Sequence, residues 1–93
     1  MRITVKFYSY LRDQIGGHSV LELEMNEPTK VSHVLEKICE NIKIREAIMS
    51  HDHEIKSDIT LLKNGREIKY LNGLETAVEE GDVIAVFPLV AGG

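Results

Sequence analysis

One amphipathic helical segment lies between two groups of strand-like segments, and this order allows few folds. Apolar residues recur at spacings of three and four from Val31 to Ile42, which places them on one face of a helix. Thr29 or Ser32 is expected to cap the first turn, because either hydroxyl can accept a hydrogen bond from an unpaired backbone amide. A shorter helical pattern follows at residues 44–48.

Alternating apolar and polar residues, the pattern of strands with one covered face, occur on both sides of this helix. Gly16-Gly17 predicts a turn within the first pair of strands, and Asn64-Gly65 predicts a hairpin turn in the second. Pro88 is expected to end the last strand, since proline cannot donate to the hydrogen-bond ladder. The strands are predicted, in chain order, at residues 2–8, 21–25, 59–63, 66–70 and 83–87, with loops at 51–58 and 71–78.

The order of these elements predicts an α+β domain in two layers, with the main helix packed on one face of a mixed sheet. The chain, residues 1–93, is expected to form one domain. The last strand is expected to lie parallel to the first at the sheet centre, because these two are the most apolar. No segment remains to cover the second face, which would carry Tyr8, Ala85 and Phe87. Two exposed aromatic side chains there would form a docking patch for a partner; the alternative is isolated exposed apolar residues, which are common.

The charge and cysteine content of the chain argue against several classes of protein. Eleven basic and fifteen acidic residues give a net charge of −4, whereas a nucleic-acid-binding protein needs a basic surface. The single cysteine, Cys39, excludes an internal disulfide framework and suits a reducing compartment. No apolar stretch approaches the length of a membrane-spanning helix and no signal peptide is apparent, so we expect a soluble cytoplasmic protein.

The side chains that could carry catalysis or bind a metal all have a simpler structural interpretation. His51 and His53, followed by Glu54, have a spacing compatible with metal ligands, but without a cysteine pair a solvated loop is the better interpretation and no metal site is expected. Cys39 lies on the apolar helix face, where burial raises the pKa of a thiol and makes it unreactive. The remaining candidates are interpreted as surface or turn residues, namely His18, His33, Glu22, Glu24, Glu79, Glu80 and Asp82.

The carboxyl end differs from the rest of the chain because it closes on Gly92-Gly93. Residues 88–93 are expected to form an extended tail, whose last five residues reach about 16 Å beyond the last strand. Glycine has no Cβ and can enter a channel too narrow for other residues, and the terminal carboxylate is ionised at neutral pH. Such a carboxylate can attack the α-phosphate of a nucleotide. Because the chain has no phosphate-binding loop, a partner would have to bring the ATP; the alternative is an inert frayed end.

Three sequence blocks carry a resemblance to a known family. They are residues 5–13, residues 63–68 and residues 80–93. The last block is the most specific, because it joins a Gly-Asp turn, an apolar strand, a Phe-Pro pair and the terminal Gly-Gly. With these blocks the chain resembles the small subunit of molybdopterin synthase and, more broadly, the ubiquitin-like sulfur-carrier proteins. The resemblance covers nearly the whole chain except residues 43–58, which look like an insertion.

This resemblance implies a β-grasp fold and a carrier cycle rather than catalysis by the chain alone. In that cycle an activating enzyme uses ATP to adenylate the carboxyl group of Gly93, and a sulfurtransferase system converts it to a thiocarboxylate. The tail then enters the large subunit of the synthase, where its sulfur builds molybdopterin, the ligand of molybdenum or tungsten. The chain itself is expected to bind no cofactor. Gly92 gives the tail its passage, and the implied partner-binding residues are Tyr8, Arg12, Phe87, Pro88, Leu89, Val90 and Ala91.

The sequence also departs from the family pattern and leaves other uses of the same tail open. Leu89 replaces the second proline of the family's Phe-Pro-Pro, and Glu67 stands where some relatives carry an apolar docking residue. Relatives with this fold and tail donate sulfur for tRNA thiolation or become attached to lysines as protein modifiers. A β-grasp interaction module with an inert end is a third alternative.

Overall fold

Five strands form one mixed sheet with helices packed on one of its faces in the computed structural model, which describes residues 1–17 and 19–89. The strands, in chain order, are β1 (Arg2–Phe7), β2 (Val20–Glu24), β3 (Thr29–Lys30), β4 (Ile59–Lys63), β5 (Arg66–Glu67), β6 (Ala77–Val78) and β7 (Val83–Pro88). The helices are α1 (Leu11–Gln14), α2 (Val31–Ile38) and α3 (Ile42–Ile48), with 3₁₀ turns at Ile68–Tyr70 and Gly73–Glu75. None of these helices, in the part of the chain described, has the length and apolar character needed to cross a membrane.

The order of the main sheet is β2-β1-β7-β4-β5, and β3 pairs with β6 in a separate two-stranded sheet. The parallel pairing of β1 with β7 at the centre confirms the prediction, with Val5 opposite Ile84 and Phe7 opposite Val86. These four side chains all point into the core and are at most 2% exposed. Burying one such side chain stabilises the fold by about 1.5–3 kcal/mol, so the alternation of apolar residues fixes this register.

The helical layer covers this buried face but differs from the prediction, since the apolar stripe from Val31 to Ile42 is divided between two helices. α2 ends at Ile38, and α3 begins after Asn41. The Oδ1 atom of Asn41 accepts hydrogen bonds from the backbone N–H groups two and three residues later, at 2.9 and 3.3 Å. Because this cap starts a new helix, Ile42 leaves the buried stripe and is 50% exposed.

The start of α2 corrects a second prediction. In the described structure neither Thr29 nor Ser32 caps the helix, and Lys30 precedes its first residue. The backbone N–H of Lys30 donates to Nδ1 of His33 at 3.2 Å. Thr29 lies in β3 instead, where its hydroxyl donates to the carbonyl of Asn26 and its backbone faces β6. The predicted cap was wrong because Thr29 belongs to β3, which pairs with β6 in the small second sheet.

Two connections are more structured than predicted. α1 occupies the connection between β1 and β2, and its Leu11 is fully buried together with Ile15, one helical turn later. The strand predicted at residues 66–70 ends at Glu67, and the chain continues as the 3₁₀ turn Ile68–Tyr70. Both departures bring apolar side chains of connecting segments into the core.

The predicted turns and the predicted loop at residues 51–58 are confirmed, whereas the loop predicted at residues 71–78 contains the 3₁₀ turn Gly73–Glu75 and β6, which pairs with β3. Gly16 and Gly17 have φ angles of 92° and 88°, in the left-handed region that favours glycine. Asn64-Gly65 joins β4 to β5. Residues 51–58 form the loop after α3.

Candidate partner-docking face and tail root

The face of the main sheet opposite the helices carries an aromatic stack where β1 and β7 end. The Tyr8 and Phe87 rings have centroids 4.2 Å apart and planes 7° from parallel. The backbone N–H of Tyr8 donates to the carbonyl of Val86 at 3.2 Å, which fixes the two aromatic residues side by side. Tyr8 is 38% exposed and Phe87 is half-buried. The predicted placement of both aromatics on one open face is confirmed, and their role in docking remains a prediction.

The chain turns sharply after Tyr8, which leaves its ring at the end of β1. Ser9 has a φ of 60°, in the left-handed region, and its carbonyl accepts a hydrogen bond from the N–H of Arg12 at 3.3 Å. Arg12 is exposed and shares a recess of about 320 Å³ with Lys6 and Tyr8. Among residues 1–17 and 19–89, neither Lys6 nor Arg12 forms an ion pair. The predicted basic contact at Arg12 therefore lies beside the aromatic stack.

Ala85 requires a correction, because it lies on the open face as predicted but is only 8% exposed. It stands between Lys6 of β1 and Leu62 of β4 in the register of the sheet. The longer side chains on both sides cover its methyl group. Ala85 therefore forms the floor of the open face.

The root of the tail begins later than predicted. Pro88 ends β7, as predicted, but it is buried in the strand opposite Ile59 and does not belong to an extended tail. Leu89 follows and is 59% exposed, and its backbone N–H donates to the carbonyl of Asp58 at 2.6 Å. This bond extends the antiparallel ladder between β4 and β7 by one residue. The tail residues Val90, Ala91, Gly92 and Gly93 lie outside the described residues.

A polar network fixes the opposite end of β7. Asp82 is 9% exposed, and its carboxylate accepts hydrogen bonds from the Glu79 backbone N–H at 2.7 Å and from Asn64 Nδ2 at 2.9 Å. Lys63 Nζ lies 3.5 Å from the same carboxylate. Asn64 Oδ1 in turn accepts from the Val83 N–H at 2.9 Å. The network ties the β4–β5 turn to the first residue of β7.

These partners determine the charge of Asp82. Burial by itself would raise the pKa of this carboxyl group, but the hydrogen bonds from Glu79 and Asn64 and the charge of Lys63 outweigh it and hold the pKa below its ordinary value. The prediction that Asp82 serves the local turn is confirmed. Sequence reasoning missed Asn64 and Lys63, although the Asn-Gly turn that contains Asn64 was visible.

The other titratable candidates are not part of the aromatic stack, although Glu22 and Glu24 of β2 share its open face, opposite Thr4 and Arg2 of β1. Cys39 is half-buried at the end of α2, where burial raises the pKa of its thiol against the opposing charge of Arg45, as expected. His51, His53 and their acidic neighbours are exposed on the loop, and the residues described contain no group of three side chains able to hold a metal ion. Exposure is also found for His33, Glu22, Glu24, Glu79 and Glu80, whereas His18 lies outside the described residues.

Comparison with known proteins places this geometry in a family. Residues 5–93 match the model of the ThiS family. Small archaeal modifier protein 3 of Haloferax volcanii is 32% identical over 93 residues, and sulfur carrier protein CysO of Mycobacterium tuberculosis is 27% identical over 93 residues, with 100% of each chain covered in both cases. The crystal structure of SAMP1 from Haloferax volcanii has a TM-score of 0.85 at 22% identity, with 100% of both chains covered, and shows the shared fold.

The β-grasp fold and the family resemblance expected from the sequence are thereby confirmed. The family match begins within β1 and extends over the helical layer and β7, and it includes the C-terminal Gly-Gly. This chain belongs to the ThiS family, among the small ubiquitin-like sulfur carriers and modifiers.

Proposed function

We propose that the chain carries sulfur on the carboxyl group of Gly93 and delivers it to the synthesis of molybdopterin. The carboxylate attacks the α-phosphate of ATP held by an activating enzyme, which releases pyrophosphate and forms an acyl adenylate. A sulfur nucleophile supplied by a sulfurtransferase system then displaces AMP and leaves a thiocarboxylate. The large subunit of a synthase accepts this tail and transfers the sulfur to the pterin precursor.

The observation that carries this proposal is the exposed Tyr8–Phe87 stack at the root of the tail. Aromatic side chains anchor protein interfaces, because they bury a large area at a small cost in side-chain entropy. Phe87 is followed by six residues up to the terminal glycine. When extended, the five residues after Pro88 reach about 16 Å, so a partner seated on the stack can hold the tail end in its own active site.

The charge beside the stack supports the same use of this face. Arg12 is exposed next to Tyr8, where it can meet an acidic side chain of a partner. Gly92 and Gly93 carry no side chain, which suits passage through a narrow channel to bound ATP. In this proposal ATP belongs to the activating enzyme, and the chain contributes the carboxylate and the docking surface.

The molybdopterin pathway is supported by the three sequence blocks that resemble the synthase small subunit, at residues 5–13, 63–68 and 80–93. A second candidate function is attachment of the same activated tail to lysines of other proteins. The full-length identity of 32% to small archaeal modifier protein 3 favours that candidate. Both functions share the adenylation of Gly93 and differ only in the group that receives the activated tail.

One reconstitution separates these functions. The purified chain is incubated with ATP, the activating enzyme and a sulfur donor, and its mass is measured. Replacement of one oxygen by sulfur supports the carrier, and an unchanged mass supports an inert interaction module. The charged chain is then offered to the large synthase subunit with the pterin precursor, and separately to a cell extract. Conversion of the precursor supports the molybdopterin pathway, whereas isopeptide-linked products without conversion favour the modifier.

A further inference from the structure

A row of side chains crosses the open face from β1 to β5. In the register of the sheet, Lys6 lies opposite Ala85, Ala85 lies opposite Leu62, and Leu62 lies opposite Glu67. Neighbouring strands are about 4.8 Å apart, so Lys6 and Glu67 are separated by about 14 Å. Val20 of the edge strand β2 lies opposite Lys6 on its other side. The part of the row from Lys6 to Glu67 therefore has an apolar centre between a positive and a negative residue.

The next row along the strands continues the apolar centre toward the tail. It holds the stacked rings of Tyr8 and Phe87, with Thr60 opposite Phe87. Leu62 follows Thr60 by two residues in β4 and therefore lies on the same face of the sheet, since side chains on one face of a strand recur every second residue. A partner that covers the stack also covers Leu62. Glu67 borders the surface that such a partner would bury.

The environment of Glu67 makes its burial costly unless the partner compensates for it. Its side chain is 29% exposed, and its carboxylate lies 3.3 Å from Nζ of Lys69, which is itself 64% exposed. The hydrogen bond to Glu67, followed by the charge of Glu67, raises the pKa of the Lys69 amine. An apolar partner surface placed here would remove water from the carboxylate without replacing its hydrogen bonds. A cationic side chain of the partner would replace them.

We propose that Glu67 determines which activating enzyme the chain accepts. That enzyme presents a lysine or arginine to Glu67 and an acidic side chain to Lys6, on either side of an apolar centre that rests on Leu62 and Phe87. An enzyme with an apolar group at the position facing Glu67 is rejected, because it would remove water from a carboxylate whose only charged partner in the described chain is the exposed Lys69 amine. This inference rests on the proposed function and adds the chemistry of the partner surface.

Lys69 gives the inference a test in which two variants change binding in opposite directions. Within the free chain Lys69 competes with the partner for Glu67, so its removal should strengthen docking. Removal of the Glu67 carboxylate should weaken docking. If Glu67 were only the rim of an apolar patch, a leucine there would enlarge the apolar surface and strengthen docking, and removal of Lys69 would have no effect.

The experiment measures pyrophosphate exchange by the activating enzyme of the same organism as a function of carrier concentration. Glu67→Leu and Lys6→Glu are each expected to raise KM about tenfold with kcat unchanged, the size of one lost charge pair across an interface. Lys69→Met is expected to lower KM about twofold, since it removes only an exposed competitor. Added salt should reduce all three differences, because it screens charges at the rim of an interface.

Arg66→Glu is the matched control for Lys6→Glu. Arg66 precedes Glu67 in β5, so its side chain projects to the other side of the sheet, and it should leave KM unchanged. Glu67→Gln keeps the shape of the side chain and should raise KM as Glu67→Leu does, which guards against a folding defect. A lower or unchanged KM for Glu67→Leu overturns the inference while the proposed function stands. Absence of exchange with the wild-type chain overturns both.

Discussion

The start of β7 is held by a polar network around the buried Asp82 carboxylate, whereas at its other end the Tyr8–Phe87 stack and Leu89, just beyond the strand, present apolar surface to solvent. At the start, Asp82 is 9% exposed and accepts hydrogen bonds from two donors, and Asn64 holds the backbone of Val83. At the end, the Tyr8–Phe87 stack faces solvent, and Leu89, which follows the buried Pro88, is 59% exposed. One strand therefore joins a part of the molecule built for stability to a part available to partners.

This difference indicates where substitutions should affect folding and where they should affect function. A buried carboxylate that satisfies several donors contributes to stability, because its removal leaves those donors without partners. An exposed side chain contributes little to stability, so its chemical character is set by other demands. Substitutions at the start of β7 should therefore change the free energy of unfolding. Substitutions at its end should change the engagement of the tail by a partner.

Deletion of Gly93 should give the largest effect on the tail side of this comparison. The carboxylate would end one residue earlier, about 3.5 Å short of the nucleotide, and a misplacement of about 1 Å already costs about a hundredfold in rate. We expect no adenylation in the pyrophosphate exchange assay and an unchanged thermal midpoint. One extra residue after Gly93 should have the same outcome. Adenylation of either variant at the wild-type rate would remove the tail from the mechanism.

Asp82→Ala should give the largest effect on the stability side. The substitution leaves the Glu79 N–H and the Asn64 amide without their acceptor in a partly buried position. We expect the free energy of unfolding to fall by about 2 kcal/mol, measured by urea denaturation followed by circular dichroism. Asp52→Ala, in the exposed loop, is the control and should change it by less than about 0.5 kcal/mol. KM for adenylation should stay unchanged while the protein is folded. A raised KM would show that the Asp82 end of β7 also takes part in docking.

Tyr8→Ala should have the opposite result, a change in docking with little change in stability, and its effect should be smaller. Loss of the ring removes half of the aromatic stack, and we expect KM for the activating enzyme to rise about tenfold. The free energy of unfolding should fall by about 1 kcal/mol or less, because the ring is partly exposed. Ile42→Ala, an exposed apolar residue on the helical side, should leave KM unchanged. Equal KM values for the two variants would mean that the stack is not the docking surface.

Local patterns in the sequence predicted some parts of the fold and not others. The pairing of β1 with β7 follows from the alternation of apolar residues, because a shift by one residue would move Val5 and Val86 out of the core. The break between α2 and α3 does not follow from the apolar spacing. It depends on a cap by Asn41, whose hydrogen bonds replace the continuing helix. α1 has four residues, too few for a periodic pattern to be recognised.

The candidate site was predictable to a similar extent. Alternation placed Tyr8 and Phe87 on the open face, but their stacking depends on the pairing of neighbouring strands. The covering of Ala85 also depends on side chains from two other strands, which no local pattern contains. The Asp82 network joins residues 18 positions apart through a turn, so the sequence indicated a turn at each place without the bond between them.

The pH dependence of stability gives the smallest and most specific test of the Asp82 end. Its pKa is lower in the folded chain than in the unfolded chain, so its ionised form adds stability above the unfolded value, about 3.9. That contribution is lost as the pH falls through the folded pKa. The difference in the free energy of unfolding between wild type and Asp82→Asn should be constant from about pH 7 to pH 5 and shrink below about pH 4. Urea denaturation across this range measures it, and a difference that stays constant in acid would show that the charge of Asp82 adds nothing to the network.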